Sequence, residues 1–157
     1  MVIILAVIAL GFYLKQFIIF NGNKEQIQEY TPQQEISEEQ FRKTFVSLMF
    51  QDKQTGELKE ENRLIDAKGL LTDPYKALIQ MLINGPNVDN LSTIIPTGTK
   101  INKVELKGDV LDADFSEELT KGVSSAQKEQ IIQSITDTVI KLNEINSVKI
   151  TVNGNAI

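Results

Sequence analysis

The segment from Ile101 to Phe115, INKVELKGDVLDADF, leaves the chain little choice of fold. Val104 and Leu106 alternate with Lys103, Glu105 and Lys107; beyond Gly108-Asp109, Leu111, Ala113 and Phe115 alternate with Asp112 and Asp114. Successive side chains on a strand point to opposite faces, so both runs read as strands with one apolar face. The Gly-Asp pair between them predicts a hairpin. A slip of one residue would turn every apolar side chain to solvent, so the register is firmly set. A sheet with one apolar face needs a covering layer.

Two helical patterns supply that cover. In LLTDPYKALIQMLINGP, Asp73 is an N-cap and Pro74 suits the first helical position. Leu78, Met81 and Leu82 fall at i, i+3 and i+4 and form an apolar stripe. Gly85 is placed for the left-handed residue after the last turn, and Pro86 bars continuation. In SSAQKEQIIQSITDTVIKLNEI, Ser124 and Gln127 form a capping box, and Ile131, Ile132, Ile135, Val139 and Leu142 share one face.

The remaining strands follow from the same periodicity. KTFVSLMFQD carries Phe45, Ser47 and Met49 on one face and Val46, Leu48 and Phe50 on the other, which predicts a central strand. After a turn at Thr55-Gly56, ELKEENRLIDA returns as a more polar strand near an edge. The closing run SVKITVNG points Val148, Ile150 and Val152 inward. The expectation is an α+β fold, a two-layer αβ sandwich in the order β-β-α-β-β-α-β over residues 41–157. It has one mixed β-sheet with two helices on one face. Between the first helix and the hairpin, NGPNVDNLSTIIPTGTK is long for a plain connection. Pro86, Pro96 and Gly98 restrict or bend it, and Leu91, Ile94 and Ile95 are apolar enough to tuck it onto the sheet, so an ordered crossover is expected.

The first 40 residues differ in kind. MVIILAVIALGFYLKQFIIF is apolar from Val2 to Phe20 except for Lys15 and Gln16, close to the ~20 residues a membrane-spanning helix needs. Lys15 lies near one end, from which its amine reaches the headgroups. No A-x-A-like cleavage site follows, so residues 1–20 are expected to be an uncleaved transmembrane anchor rather than a signal peptide. Residues 21–40, rich in Gln and Glu and broken by Pro32, bury too little to order themselves and read as a polar linker.

Composition excludes several function classes. The 16 basic and 21 acidic residues leave a net charge of -5, which argues against a nucleic-acid surface. Without Cys or His, thiolate chemistry, a serine–histidine–aspartate triad and the common zinc sites are ruled out. The acidic residues remain as candidates. Asp112, Asp114, Glu117 and Glu118 resemble an oxygen-ligand cluster, but the strand pattern already places the two Asp on a solvent face, and the spacing is not that of an EF-hand. Glu60, Glu61 and Asp66 are candidates for a glycosidase-like pair. Gly85 and Gly98 lack the flanking pattern of a phosphate loop, and Asn90-Leu91-Ser92 is a bare glycosylation sequon. None is assigned as a catalytic, cofactor or metal site, and no enzymatic activity is expected.

Five pieces in order carry a family resemblance. They are FVSLMF, the E-x-R-L-I return from Glu61 to Ile65, the Leu-Ile-x-Gly-Pro element from Leu82 to Pro86, IPTGTKINKVELKGDVLDADFS, and QSITDTVIKLNEINSVKITVNG. Together they resemble the GerMN domain of sporulation and spore-germination proteins over roughly Thr44 to Gly154. The resemblance implies a domain outside the cytoplasm, related to ring-building modules that self-associate in the sporulation envelope. It brings no catalytic residues. Three features depart from the family: its namesake carries two such domains in tandem, some members add an Ig-like C-terminal domain, and many are lipoproteins, which a chain without Cys cannot be. The expected function is a single-pass, membrane-anchored interaction or scaffold module with protein partners in the cell envelope and weak homo-oligomerisation. The alternative is a domain that binds or hydrolyses cell-wall polymer through carboxylates.

Overall fold

The computed structural model describes residues 42–142 and 144–157. The expected anchor at 1–20 and the linker at 21–40 lie outside the described residues. Among the described residues, no helix is long and apolar enough to cross a membrane.

The fold is α+β. Strand β1 (Lys43–Asp52) pairs antiparallel with β2 (Leu58–Asp66), and a 3-10 turn at Ala67–Leu70 leads to helix α1 (Pro74–Asn84). The two-residue β3 (Leu91–Ser92) precedes β4 (Ile101–Lys107) and β5 (Val110–Phe115). A 3-10 turn at Glu117–Leu119, helix α2 (Ser125–Val139), β6 (Ser147–Val152) and β7 (Asn155–Ala156) complete the order. The β4–β5 hairpin turns on Gly108-Asp109, with Lys107 opposite Val110. Strand β5 then pairs in parallel with β6, and α2 is the crossover such a pair requires.

Instead of the expected single mixed sheet there are two, ordered β2-β1-β3 and β4-β5-β6-β7. The reason lies on the second edge of β1. At Met49 that edge is closed by a helix: the backbone N–H donates to Thr138 Oγ1 at 3.0 Å, and the carbonyl accepts from Ser134 Oγ at 2.7 Å. Further along, Gln51 and Asp52 pair with Ser92 and Leu91 of β3. From Met49 to Asp52 the edge therefore has no backbone groups left to join the second sheet.

Both helices pack on β1 and on each other, and the core forms where they meet the two sheets. Leu48, Phe50, Ile79, Leu82, Leu111, Phe115, Ile131, Ile135 and Val139 are fully buried. Each contributes on the order of 1.5–3 kcal/mol through removal of its apolar surface from water. Helix α1 begins on Asp73, whose side chain accepts from the Lys76 N–H, and α2 begins on the Ser124–Gln127 capping box. Leu142 lies beyond the end of α2 and is half-buried against the core rather than on a helical stripe.

Two further expectations are corrected. Strand β1 is central in its sheet, but only the face of Val46, Leu48 and Phe50 is covered; Phe45 on the other face is 72% exposed. Among the described residues no element packs on that side, because both helices lie with the opposite face. Gly85 has a positive φ of 92° but an extended ψ of 175°, so it is not in the left-handed helical region. The Pro86 ring excludes helical ψ at the residue before it, and glycine alone combines that demand with a positive φ.

Candidate interaction surface

Two of the sequence motifs meet in one cluster. Glu61 and Arg63 lie on the core face of β2, opposite Leu48 and Val46. Arg63 donates from Nε and Nη2 to Glu61 Oε1, and its Nη2 also donates to the Gly85 carbonyl at 3.1 Å. Glu61 Oε2 accepts the Asn87 N–H at 2.9 Å, and the guanidinium carbon stands 5.9 Å from the Phe50 ring centroid. Glu61 and Arg63 side chains retain 5% and 14% exposure. This pair, with Glu61 buried and Arg63 nearly so, grips both sides of Pro86 and fixes where the loop leaves α1. The loop is ordered as expected: Leu91, Ile95 and Thr99 are buried, and Thr93 Oγ1 donates to the Leu82 carbonyl.

The acidic residues singled out in the sequence do not converge. Glu60 and Glu61 project to opposite faces of β2. Glu60 lies on the outer face, accepting from Ser47 Oγ and pairing with Lys141, and Lys141 foremost lowers its pKa. Asp66 accepts the Lys68 N–H at the start of the 3-10 turn. Asp112 and Asp114 stand on the outer face of β5. Asp112 pairs with Lys107, while Asp114 accepts from Thr151 Oγ1, the Gly154 N–H and Asn102 Nδ2. Those bonds, Thr151 first, hold the Asp114 carboxyl below its ordinary range. Glu117 and Glu118 belong to the turn after β5. Among the described residues no group of three or more acidic side chains is arranged to hold a metal ion. In the sequon, Leu91 is buried in β3 and the Asn90 carbonyl accepts from the Lys53 N–H.

What the strand pattern did not reveal is an incomplete strand edge. Because Met49 turns its backbone groups to α2, Phe45 and Ser47, four and two residues before it, turn theirs the same way. Among the described residues nothing accepts from or donates to those groups of Phe45 and Ser47. Beside them lies a groove of about 260 Å³ bounded by Val46, Leu70, Leu78, Thr138, Lys141 and Leu142. Phe45 faces Leu64 across the β1–β2 pair, and both are exposed, at 72% and 51%. Open strand backbone beside an apolar pair is the kind of edge that extended chains pair with in other proteins. A sequence signal for this edge exists. Ser134 and Thr138 sit four residues apart among the apolar positions of α2, and buried hydroxyls there need backbone partners.

The family model for sporulation and spore germination, Germane, matches residues 45–157. The chain belongs to this family. Its fold is similar to that of the first GerMN domain of the sporulation protein GerM from Bacillus subtilis, at 24% identity and a TM-score of 0.62, over 73% of this chain and 86% of that one. The tandem GerMN domains of the same protein match with the same identity and TM-score. There the alignment again covers 73% of this chain but only 41% of the tandem structure. No curated protein sequence matches. The Germane domain here carries both the Glu61–Arg63 grip and the Gly85-Pro86 stop as one structural unit.

Proposed function

We propose that this chain is a membrane-tethered interaction module acting outside the cytoplasm in sporulation or spore germination, assembling with copies of itself or with other envelope proteins and catalysing no reaction. The observation that carries the reading is the stretch of the β1 edge at Phe45 and Ser47 left open among the described residues, flanked by a groove and by exposed Phe45 and Leu64. Family membership supports the link to sporulation and germination. The apolar run from Val2 to Phe20 supports the tether.

The test is fractionation of the full-length chain in a sporulating host, followed by intact mass measurement and chemical crosslinking. Recovery with membranes at full mass, in crosslinked assemblies, is the expected result. A soluble form lacking about 20 residues would mean a cleaved signal peptide instead. Release of soluble fragments from peptidoglycan, lost on Glu60→Gln or Glu61→Gln, would replace the scaffold reading with a hydrolytic one.

A further inference from the structure

We infer that the open edge of β1 is completed by the same edge of a second copy of this chain, about a two-fold axis that sets Phe45 opposite Phe45. The inference rests on the self-association proposed above and names the surface and register.

The edge is complementary to itself. Lys43, Phe45 and Ser47 all direct backbone N–H and C=O groups outward, since they alternate in step with Met49. Antiparallel pairing centred on Phe45 sets Lys43 of each copy opposite Ser47 of the other. All six outward N–H and C=O pairs then find partners, giving six hydrogen bonds. The pairing stops where it must, because Met49 is already closed by α2. On the outer face the two Phe45 rings meet side by side, which covers the most exposed aromatic ring of β1.

Charge permits the same register. Ser47 Oγ donates to Glu60 Oε1 at 2.7 Å while Lys141 of the same chain holds Oε2, so Lys43 of the second copy would share that carboxylate with Lys141. Lys43 is an exposed cation with no carboxylate bonded to it among the described residues. The contact is short, a few strand residues on each copy, well under what a stable free dimer buries. It therefore forms where a shared membrane raises the local concentration.

The chain has no Cys, which makes the register directly readable. Phe45→Cys is introduced into the full-length chain, and membranes are oxidised. Paired Cα atoms at a hydrogen-bonded site lie about 5.5 Å apart, within disulfide range. The expected product is a reducible dimer. Leu64→Cys is the control: it lies on the same face but one strand further in, so two copies would stand roughly 14 Å apart, three strand spacings, and should not couple. Dimers from both variants would mean stacking of the apolar faces and would overturn edge pairing. Monomers from both would also overturn it. If a lysine-reactive crosslinker still joins copies in that case, self-association stands and only the edge is wrong. If it does not, the self-assembly reading fails as well.

Discussion

The guanidinium of Arg63 reaches 22 positions along the chain to the carbonyl of Gly85 at 3.1 Å, so the second strand holds the end of the first helix. It does so while saturating Glu61, which in turn takes the Asn87 N–H. Arg63→Met removes the cation but leaves a buried carboxylate, and the expected loss is about 3 kcal/mol. Combining it with Glu61→Leu should recover part of that loss, because the stranded charge goes too. Urea unfolding midpoints of the two single variants and the double variant measure the coupling, provided the m-value holds.

Gly85→Ala probes the same corner through the backbone. A Cβ there meets nothing within 4 Å, yet φ is +92°. With an extended ψ this conformation is close to glycine-only, so the cost is strain rather than collision, about 1–3 kcal/mol. Pro86→Ala in the same background frees the residue before it to change ψ and should lessen the penalty. Thermal unfolding of the two variants tests the order.

Ser134→Ala and Thr138→Val each orphan one buried backbone group of Met49. Each should cost about 1–3 kcal/mol, the penalty for an unsatisfied buried donor or acceptor. Thr138→Ser keeps the acceptor and should lose much less. Denaturant unfolding of the three variants distinguishes lost hydrogen bonding from lost packing.

Acid should unfold the domain through Asp52 and Asp114. Asp52 accepts from Lys59 and from the N–H groups of Gln54 and Thr55, with Lys59 the main reason its carboxyl ionises far below the usual range. Asp114 is lowered by Thr151, Gly154 and Asn102. A carboxyl with a lower folded than unfolded pKa stabilises fully above the unfolded value, about 3.9. That stabilisation drains away as pH falls through the folded value. The unfolding midpoint is therefore expected to be level from about pH 7 to 5 and to decline below about 4. Asp52→Asn should start lower at pH 7 and decline less.

Much of this fold was legible in the sequence where local signals agree with tertiary packing. The Gly108-Asp109 hairpin, the Asp73 cap and the Ser124–Gln127 box depend on neighbours a few residues away, and each stands where periodicity put it. The division into two sheets was not legible, since it depends on Ser134 and Thr138 meeting Met49 across more than 80 positions. The same holds for the candidate interaction surface. Phe45 reads as half of a buried alternation, and only the placement of both helices on the opposite face leaves it in solvent. The E-x-R element was visible as a pattern, but its partner, the Gly85 carbonyl, carries no side-chain signature.

The second edge of β1, closed by α2 and β3 but open at Phe45 and Ser47 among the described residues, makes that strand a graded reporter. The Met49 amide, bonded to a buried hydroxyl, should exchange its proton for deuterium only when the core opens. The amides of Phe45 and Ser47, in the same strand, should exchange orders of magnitude faster, because no partner among the described residues shields them. Deuterium uptake along these few residues thus tells an empty edge from an occupied one in the native chain, with no label or substitution.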